Sequence, residues 1–335
     1  MTPALTLHLG DFRTGTTAIQ GWLRQHGGAH GIAYPPGHNQ AALAQGLPDP
    51  AARADQFGRI ARFLEQASAP HAVISAEHFE LADPGQLAEA LLRYLPAHTA
   101  QTRLIAYVRP HPQAYLARFA ESTKIGSFTG PLEAYLDWVQ PRMTYGPRFA
   151  RWKAVFGDRF TLRLYDRARF TGGDVVRDFA HFVTGRDPGA GMSEANPTPG
   201  IEALALARAL HRRIGALPPE GRHAQWTLGR HLGRQLGALG QAQTPLALHR
   251  ALALRLQQAF AADAAETDAA FFDGTPLSDA LAAAPEQAPA QAQSLEPADH
   301  LSAQTLQIIA LWGDMLRHGL TAPDGAAALN RLYHE

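Results

Sequence analysis

Four short apolar runs alternate with helical patterns in the first half of the chain, and this alternation constrains the fold more than any other feature. The runs read ALTLHLG, HAVISAEHF, RLIAYVRP and RFTLRLYD. Between them, apolar side chains recur with the three- and four-residue spacing of helices that bury one face. Because the runs are apolar on both faces of a strand, we expect a three-layer α/β fold, with a parallel sheet flanked by helices.

The pattern changes at about residue 197, where strand signals stop and alanine-rich helical patterns follow. We therefore expect an α/β core over residues 1–197 and an α-helical C-terminal region over residues 198–335. Within the second region, residues 282–299 read AAAPEQAPAQAQSLEPAD, a composition typical of a flexible linker. No internal repeat is visible.

Composition narrows the classes of function. Lys and Arg total 30, as do Asp and Glu, so the chain has no net positive charge that would attract nucleic acid or an anionic membrane. The absence of cysteine excludes disulfides and thiolate sites, and the 16 histidines show no metal-ligand spacing. No signal peptide and no apolar run long enough for a transmembrane helix is visible. We expect a cytoplasmic protein with no metal and no nucleic-acid partner.

The segment Gly10 to Thr17 follows the first strand and opens a helix. It approaches the phosphate-loop pattern G-x-x-x-x-G-K-[ST], but Thr16 stands at the lysine position and the nearest positive charge is Arg13. Glycines such as Gly15 allow several backbone N–H groups to face one anion, and the helix N-terminus adds about half a positive charge. The combination favours a phosphate site over an ordinary glycine-rich turn.

Polar residues also follow the next two strands. Glu77 and His78 end the second strand, where either could act as a general base, although a turn cap and a packed histidine explain them equally well. Arg109 ends the third strand, where an arginine can bind a second phosphate. Ser122 and Lys124 follow on the next predicted helix. Because ligands bind at the carboxyl ends of parallel strands, these residues are candidates for the same site.

Together these motifs resemble the sulfotransferases that use PAPS (3′-phosphoadenosine 5′-phosphosulfate), in particular the bacterial branch. The loop RTGTT is similar to the family pattern [KR]-[ST]-G-T-T, in which the basic residue precedes the second glycine. The stretch HLGDFRTGTTAIQGWL resembles bacterial members, as does GIAYP after the first helix. YVRP resembles the family's strand end with its phosphate-binding arginine, and RLYDRARFTGGDVVRDFAHFVTG is similar to its closing strand and helix. The resemblance covers residues 4–185.

The resemblance implies in-line transfer of a sulfuryl group from PAPS to an acceptor hydroxyl, with a carbohydrate or glycolipid as acceptor and no metal. Arg13 would stabilise the leaving phosphate, and Glu77 or His78 would take the proton. The residues implied for donor binding are Thr14, Gly15, Thr16, Thr17 and Arg109, with Ser122 and Lys124 nearby.

Two positions depart from the family pattern. The loop's basic residue is most often lysine in the family and is Arg13 here, and the serine that usually follows the phosphate-binding arginine by eight residues is Ala117. Two other interpretations therefore stay open. One is a small-molecule kinase or other P-loop NTPase, and the other is a catalytically inactive nucleotide-binding homologue of a sulfotransferase.

Overall fold

The structure, a computed structural model, describes residues 2–11, 13–37, 39–189, 199–238, 244–322, 324–325 and 327, and the side chains of all of these except 236–238. Five strands lie in this part of the chain: β1 (Ala4–Leu9), β2 (Ile32–Ala33), β3 (His71–Ala76), β4 (Arg103–Val108) and β5 (Phe160–Leu164). Its helices are α1 (Thr16–His26), α2 (Ala41–Gln45), α3 (Pro50–Gln66), α4 (Pro84–Tyr94), α5 (Pro96–Thr99), α6 (His111–Lys124), α7 (Tyr135–Val139), α8 (Gly146–Phe156), α9 (Val175–Thr184), α10 (Ile201–Ile214), α11 (Pro219–Ala238), α12 (Arg250–Phe271), α13 (Pro276–Gln287) and α14 (Ala303–Thr321).

The chain forms two compact units, each built from three segments. The first unit comprises Met1–Pro110, Thr144–Asn196 and Ala262–Ser278, and the second comprises His111–Met143, Pro197–Ala261 and Asp279–Glu335. The units therefore interleave along the sequence. The division of the chain at residue 197 remains a prediction about domains.

The first unit contains a five-stranded parallel sheet in the order β2-β3-β1-β4-β5. The four apolar runs form β1, β3, β4 and β5, so the expected α/β fold with a parallel sheet is confirmed. The sequence pattern missed β2 because a strand of only two residues carries no periodicity. Among the described helices, none combines the length and the apolar character that crossing a membrane requires.

Helices cover both faces of this sheet. On one face, α1 and α9 pack against Val73, Ile105 and Tyr107, and Ile19 of α1 and Phe179 of α9 are fully buried in that cluster. The alternate strand residues, which point to the opposite face, are also buried. Burial on both faces explains why the strands are continuously apolar in the sequence.

The strand order places β1 at the centre, with β3 on one side and β4 on the other. The chain thus leaves β1 toward one half of the sheet and later returns to the other half, which makes the carboxyl end of β1 a topological switch point. In register, Leu9 of β1 lies opposite Ala76 of β3 and Ala106 of β4. The residues that follow these three strands consequently meet at one edge of the sheet.

The second unit is helical. Within it α10 and α11 pack against α6, and both also contact α14. A core cluster joins α10, α11 and α14 through seven buried apolar residues: Leu210, Ile214, Leu217, Ala224, Leu228, Ile309 and Leu320. The expectation of a helical region in the second part of the chain therefore holds for the described residues.

Part of the segment expected to be a linker, residues 282–299, is helical. Helix α13 continues to Gln287, because the alanines at 282–284 have the highest helix propensity, and Pro285 lies only in the last turn. Further on, the Leu295 carbonyl accepts a 2.5 Å hydrogen bond from Arg208, which also pairs with Glu296. Alanine and proline content alone therefore did not distinguish a helix end and an anchored segment from a linker.

Candidate functional site

Two positions of the loop between β1 and α1 favour glycine, one through its backbone conformation and the other through close packing. Gly15 has φ of 81°, and a Cβ at this position would lie 2.8 Å from Cγ1 of Val175. A Cβ on Gly10 would lie 2.9 Å from both Cα of Glu77 and Oγ1 of Thr16. Arg13 also has a positive φ, 70°. A non-glycine residue held in this region is strained, and such residues cluster at ligand-binding sites.

The N-terminus of α1 is open to an anion. Its N-cap is Gly15, no side chain caps it, and its first turn holds no acidic residue. The helices α3, α4 and α9, by contrast, have aspartate caps: Asp49, Asp83 and Asp174. The first backbone N–H groups of any helix lack intrahelical acceptors, and the helix dipole favours negative charge beside them. The loop therefore presents donors and positive potential in one place.

The threonines of the loop differ in their surroundings. Oγ1 of Thr14 donates a 2.7 Å hydrogen bond to the Asp11 carbonyl, which stabilises the turn. Oγ1 of Thr16 is buried and has no hydrogen-bond partner among the described residues, whereas Thr17 is exposed. A buried hydroxyl without a partner costs free energy unless a ligand satisfies it. Thr16 thus fits a bound oxyanion.

Arg109 extends the site from the end of β4. Burial lowers the pKa of Arg109, and the charge of Arg13 lowers it further, so the two guanidinium groups lie within electrostatic reach of each other. Both remain charged, because an arginine does not lose its proton in a protein. Nε of Arg109 is buried without an acceptor among the described residues. Two neighbouring cations with an unsatisfied donor suit a polyanionic ligand.

Tyr165 joins Arg109 to the loop and is not among the site residues predicted from the sequence. Its ring centroid lies 4.4 Å from Cζ of Arg109, and its Cε2 is 3.1 Å from the Cβ position of Gly15. Tyr165 directly follows β5, as Arg109 follows β4, and its N–H donates to the Val108 carbonyl at 2.6 Å. Its position after a strand is the signal that could have indicated it.

Glu77 and His78 lie in the 3₁₀ helix Glu77–Leu81, directly after β3. Both side chains are half-buried. Cγ of Glu77 is 3.0 Å from the Cβ position of Gly10, so Glu77 packs against the loop. Burial lowers the pKa of His78, which keeps its imidazole neutral at neutral pH and able to accept a proton. Either residue meets the chemical requirement for a base.

An arginine paired with two buried carboxylates lies next to the loop. Arg148, at the start of α8, lies between the carboxylates of Asp11 and Glu80, with 3.3 Å from Nη2 to Oδ2 of Asp11. Both carboxylates are buried. Arg148 therefore offsets the one acidic side chain of the loop, whose charge would otherwise repel an anion. Sequence reasoning missed this group because its three members are distant along the chain.

Ser122 and Lys124 lie on α6, in the second unit. The Ser122 hydroxyl is 2.9 Å from the hydroxyl of Tyr135, and the Lys124 ammonium pairs with Glu121. The Lys124 carbonyl also accepts a 2.9 Å hydrogen bond from Nε2 of His211. Both residues thus have partners within their own unit.

The structure brings together the loop, Glu77 and Arg109, all within the first unit. Among the described residues, no group of three or more histidine, aspartate or glutamate side chains is arranged to hold a metal ion. The chemistry that this arrangement supports is the binding of a phosphate-bearing ligand beside a half-buried base.

No family model matches this sequence, and no curated protein matches it either. The crystal structure of a sulfotransferase from Alicyclobacillus acidocaldarius is similar to this structure, with a TM-score of 0.47 and 15% sequence identity. The similarity covers 83% of this chain and 99% of that chain.

Proposed function

We propose that the protein is a sulfotransferase, which moves the sulfuryl group of PAPS to an acceptor hydroxyl. The observation that carries the proposal is the uncapped N-terminus of α1, with the hydroxyl of Thr16, which has no partner among the described residues, Arg13 in the same loop, and Arg109 held beside it through Tyr165. PAPS carries two separate anionic groups, the 5′-phosphosulfate and the 3′-phosphate. Two cations on different segments, close to one helix N-terminus, suit such a ligand better than a single phosphate.

The loop residues are assigned to the 5′-phosphosulfate. In this assignment the backbone N–H groups from Thr14 to Thr17 and the buried hydroxyl of Thr16 donate hydrogen bonds to its oxygens. Arg13 offsets the charge that grows on the 5′-phosphate as its bond to sulfur breaks. Arg109 binds the 3′-phosphate and so selects PAPS over ATP.

The proton of the acceptor hydroxyl is assigned to Glu77 or His78. The acceptor oxygen forms a bond to sulfur, the bond between sulfur and the bridging oxygen of the 5′-phosphate breaks, and 3′-phosphoadenosine 5′-phosphate (PAP) leaves. Glu77 is the first choice because its side chain packs against Gly10. His78 is the alternative, since its lowered pKa keeps it neutral.

Three parts of the proposal rest on the family resemblance alone. These are a carbohydrate or glycolipid acceptor, a cytoplasmic location, and donor contacts from Ser122 and Lys124. The last would require Ser122 and Lys124 to exchange their present partners for the donor. Ala117, which is buried and has no hydroxyl, contributes no hydrogen bond at the family's serine position.

The first experiment is calorimetry of PAP, ATP and ADP binding without metal. We expect PAP to bind more tightly than ATP. Loss of a charged hydrogen bond costs about 1.5–3 kcal/mol, so Arg109→Ala should weaken PAP binding by about 10- to 100-fold and ATP binding much less. Arg93→Ala, which removes another arginine stacked on a tyrosine, is the control and should change neither. Equal losses for PAP and ATP in Arg109→Ala would contradict the assignment.

Turnover distinguishes the remaining interpretations. PAPS is incubated with a panel of saccharides and glycolipids, and PAP release is measured for the wild type, Glu77→Gln and His78→Gln. The variant of the true base should lose activity while keeping PAP affinity. Magnesium-dependent ATP hydrolysis would instead identify an NTPase. Weak PAP binding with no transfer to any acceptor would identify an inactive homologue.

A further inference from the structure

Charge is unevenly distributed along this electrically balanced chain. No Asp or Glu lies between Glu220 and Asp263. Within that interval, α11 carries three arginines and two histidines: Arg222, Arg230, Arg234, His223 and His231. Apart from Glu220 at its start, every charged side chain of α11 is therefore basic.

Three arginines and one tryptophan of α11 form a row that winds partway around the helix. Arg222, Trp226, Arg230 and Arg234 are spaced by four residues, so each step turns about 40° around the axis and the row extends about 18 Å. The three arginines are exposed and Trp226 is half-buried. On the other side of the helix, Ala224 and Leu228 are buried in the core cluster. We call the row Arg222, Trp226, Arg230 and Arg234 the basic stripe.

The arginines of the basic stripe differ from those around them. On neighbouring α10, Arg212 pairs with Glu296 and Arg213 pairs with Asp314. None of the three stripe arginines forms an ion pair with any residue that the structure describes. Arg230 and Arg234 are one helical turn apart, so their exposed guanidinium groups repel each other, and an anionic partner offsets that cost.

We propose that the basic stripe is a docking surface for an anionic polysaccharide, a linear glycan that bears sulfate or carboxylate groups. Guanidinium groups bind sulfate and carboxylate through paired hydrogen bonds. The half-exposed ring of Trp226, between Arg222 and Arg230, offers an apolar face on which a sugar ring stacks. The linear row of charges matches a chain whose anionic groups repeat along its length.

Two other polyanions fit less well. A membrane-surface helix inserts its apolar face among the lipids, but the apolar face of α11 is already buried in the core of the second unit. Single-stranded nucleic acid requires several stacking aromatics along a basic groove, whereas the stripe has one aromatic, Trp226. The saccharide is therefore the partner that the observations favour.

The test uses the full chain and a heparin decasaccharide as the probe, at about 0.15 M salt, where long-range attraction is screened. Neutral dextran, duplex DNA and vesicles of phosphatidylcholine and phosphatidylglycerol are measured in parallel. We expect the decasaccharide to bind more tightly than all three. Tighter binding of DNA or vesicles would overturn the proposal in favour of that partner.

Arginine variants test whether the polysaccharide binds to α11. Arg222→Gln/Arg230→Gln/Arg234→Gln should weaken decasaccharide binding at least about tenfold, since three charged contacts are lost together. The matched control, Arg24→Gln/Arg62→Gln/Arg93→Gln, removes three exposed arginines from the first unit and should change binding by less than about twofold. Equal losses in both triple variants, or none in the first, would overturn the assignment.

A variant of Trp226 distinguishes recognition of the sugar ring from attraction between charges alone. Trp226→Leu keeps an apolar side chain and all charges, and it should weaken decasaccharide binding severalfold without changing the thermal unfolding temperature greatly. Unchanged affinity would overturn the saccharide assignment. Binding is measured without donor, so failure here leaves the proposed sulfotransferase activity untouched, and the reverse also holds.

Discussion

The guanidinium of Arg109 lies over the ring of Tyr165, with 4.4 Å from Cζ to the ring centroid. The two residues directly follow β4 and β5, which are adjacent in the sheet. Tyr165 also borders Gly15 of the loop. One aromatic ring thus fixes the position of a half-buried cation relative to the N-terminus of α1.

Replacement of Tyr165 tests this positioning role. A cation–π contact contributes about 0.5–2 kcal/mol, more when it is desolvated, so Tyr165→Leu should weaken PAP binding severalfold. Tyr165→Phe keeps the aromatic face and should retain most of the affinity. Both are measured by calorimetry, with Tyr94→Leu, which removes the ring beneath Arg93, as the control. Equal affinity in Tyr165→Leu and wild type would contradict the role.

The strands were predictable because a buried parallel strand leaves a local signal, a continuous apolar run. The loop and Arg109 were predictable for the same reason, since each directly follows such a run, and strand ends meet at one edge of the sheet. Helix α1 was predictable from the apolar spacing of Ile19, Trp22 and Leu23, all of which are buried.

The remaining features depend on which segments become neighbours. Tyr165 acquires its role only because β5 pairs with β4, an order that no local pattern specifies. Arg148 meets Asp11 and Glu80 across more than sixty residues of sequence in each case. The grouping of α6 with α10 and α11 likewise comes from long-range packing, so composition could not indicate it.

Two glycines close to each other in sequence should respond oppositely to alanine. Gly15→Ala places a Cβ at positive φ and 2.8 Å from Val175, which should destabilise the fold by about 1–3 kcal/mol and abolish tight PAP binding. Apart from its chain neighbours and the backbone of its own helix, no atom lies within 4 Å of the Cβ position of Gly21, inside α1. Gly21→Ala should therefore stabilise the protein by about 0.5–1 kcal/mol.

Urea denaturation of both alanine variants measures these changes. The pair is matched, because both substitutions add one methyl group within the same loop and helix. Destabilisation by Gly21→Ala, or tolerance of Gly15→Ala, would contradict the backbone argument.

Arg148 should be required for stability, whereas Arg151 on the same helix should not. Arg148→Met leaves the buried carboxylates of Asp11 and Glu80 without their shared cation, which typically costs about 3–5 kcal/mol. It also exposes an anion-binding loop to the charge of Asp11, so PAP binding should weaken. Arg151 pairs with Asp83 at the surface, and Arg151→Met should cost less than about 1 kcal/mol. Equal changes in the free energy of unfolding would show that burial does not govern these pairs.

His8 makes stability depend on pH. It is fully buried in β1, with Nδ1 2.9 Å from Oγ of Ser75, and burial lowers its pKa from 6.5 to about 3. As pH falls below 6.5, the unfolded chain binds a proton at His8 and the folded chain does not, so stability decreases with falling pH. Titration of His8 alone lowers the free energy of unfolding by up to about 1.4 kcal/mol per pH unit. This dependence ends near the pKa that His8 has in the folded chain.

His8→Gln removes this contribution, so its free energy of unfolding should fall less steeply than that of the wild type between about pH 6 and pH 4. Urea denaturation at several pH values measures the difference in slope. Leu7→Ala, next to His8 in β1, should lower stability by about 2–5 kcal/mol and leave the slope unchanged. Parallel curves for the wild type and His8→Gln would mean that His8 is protonated equally in the folded and unfolded chain, which its complete burial among Tyr107 and Phe179 opposes.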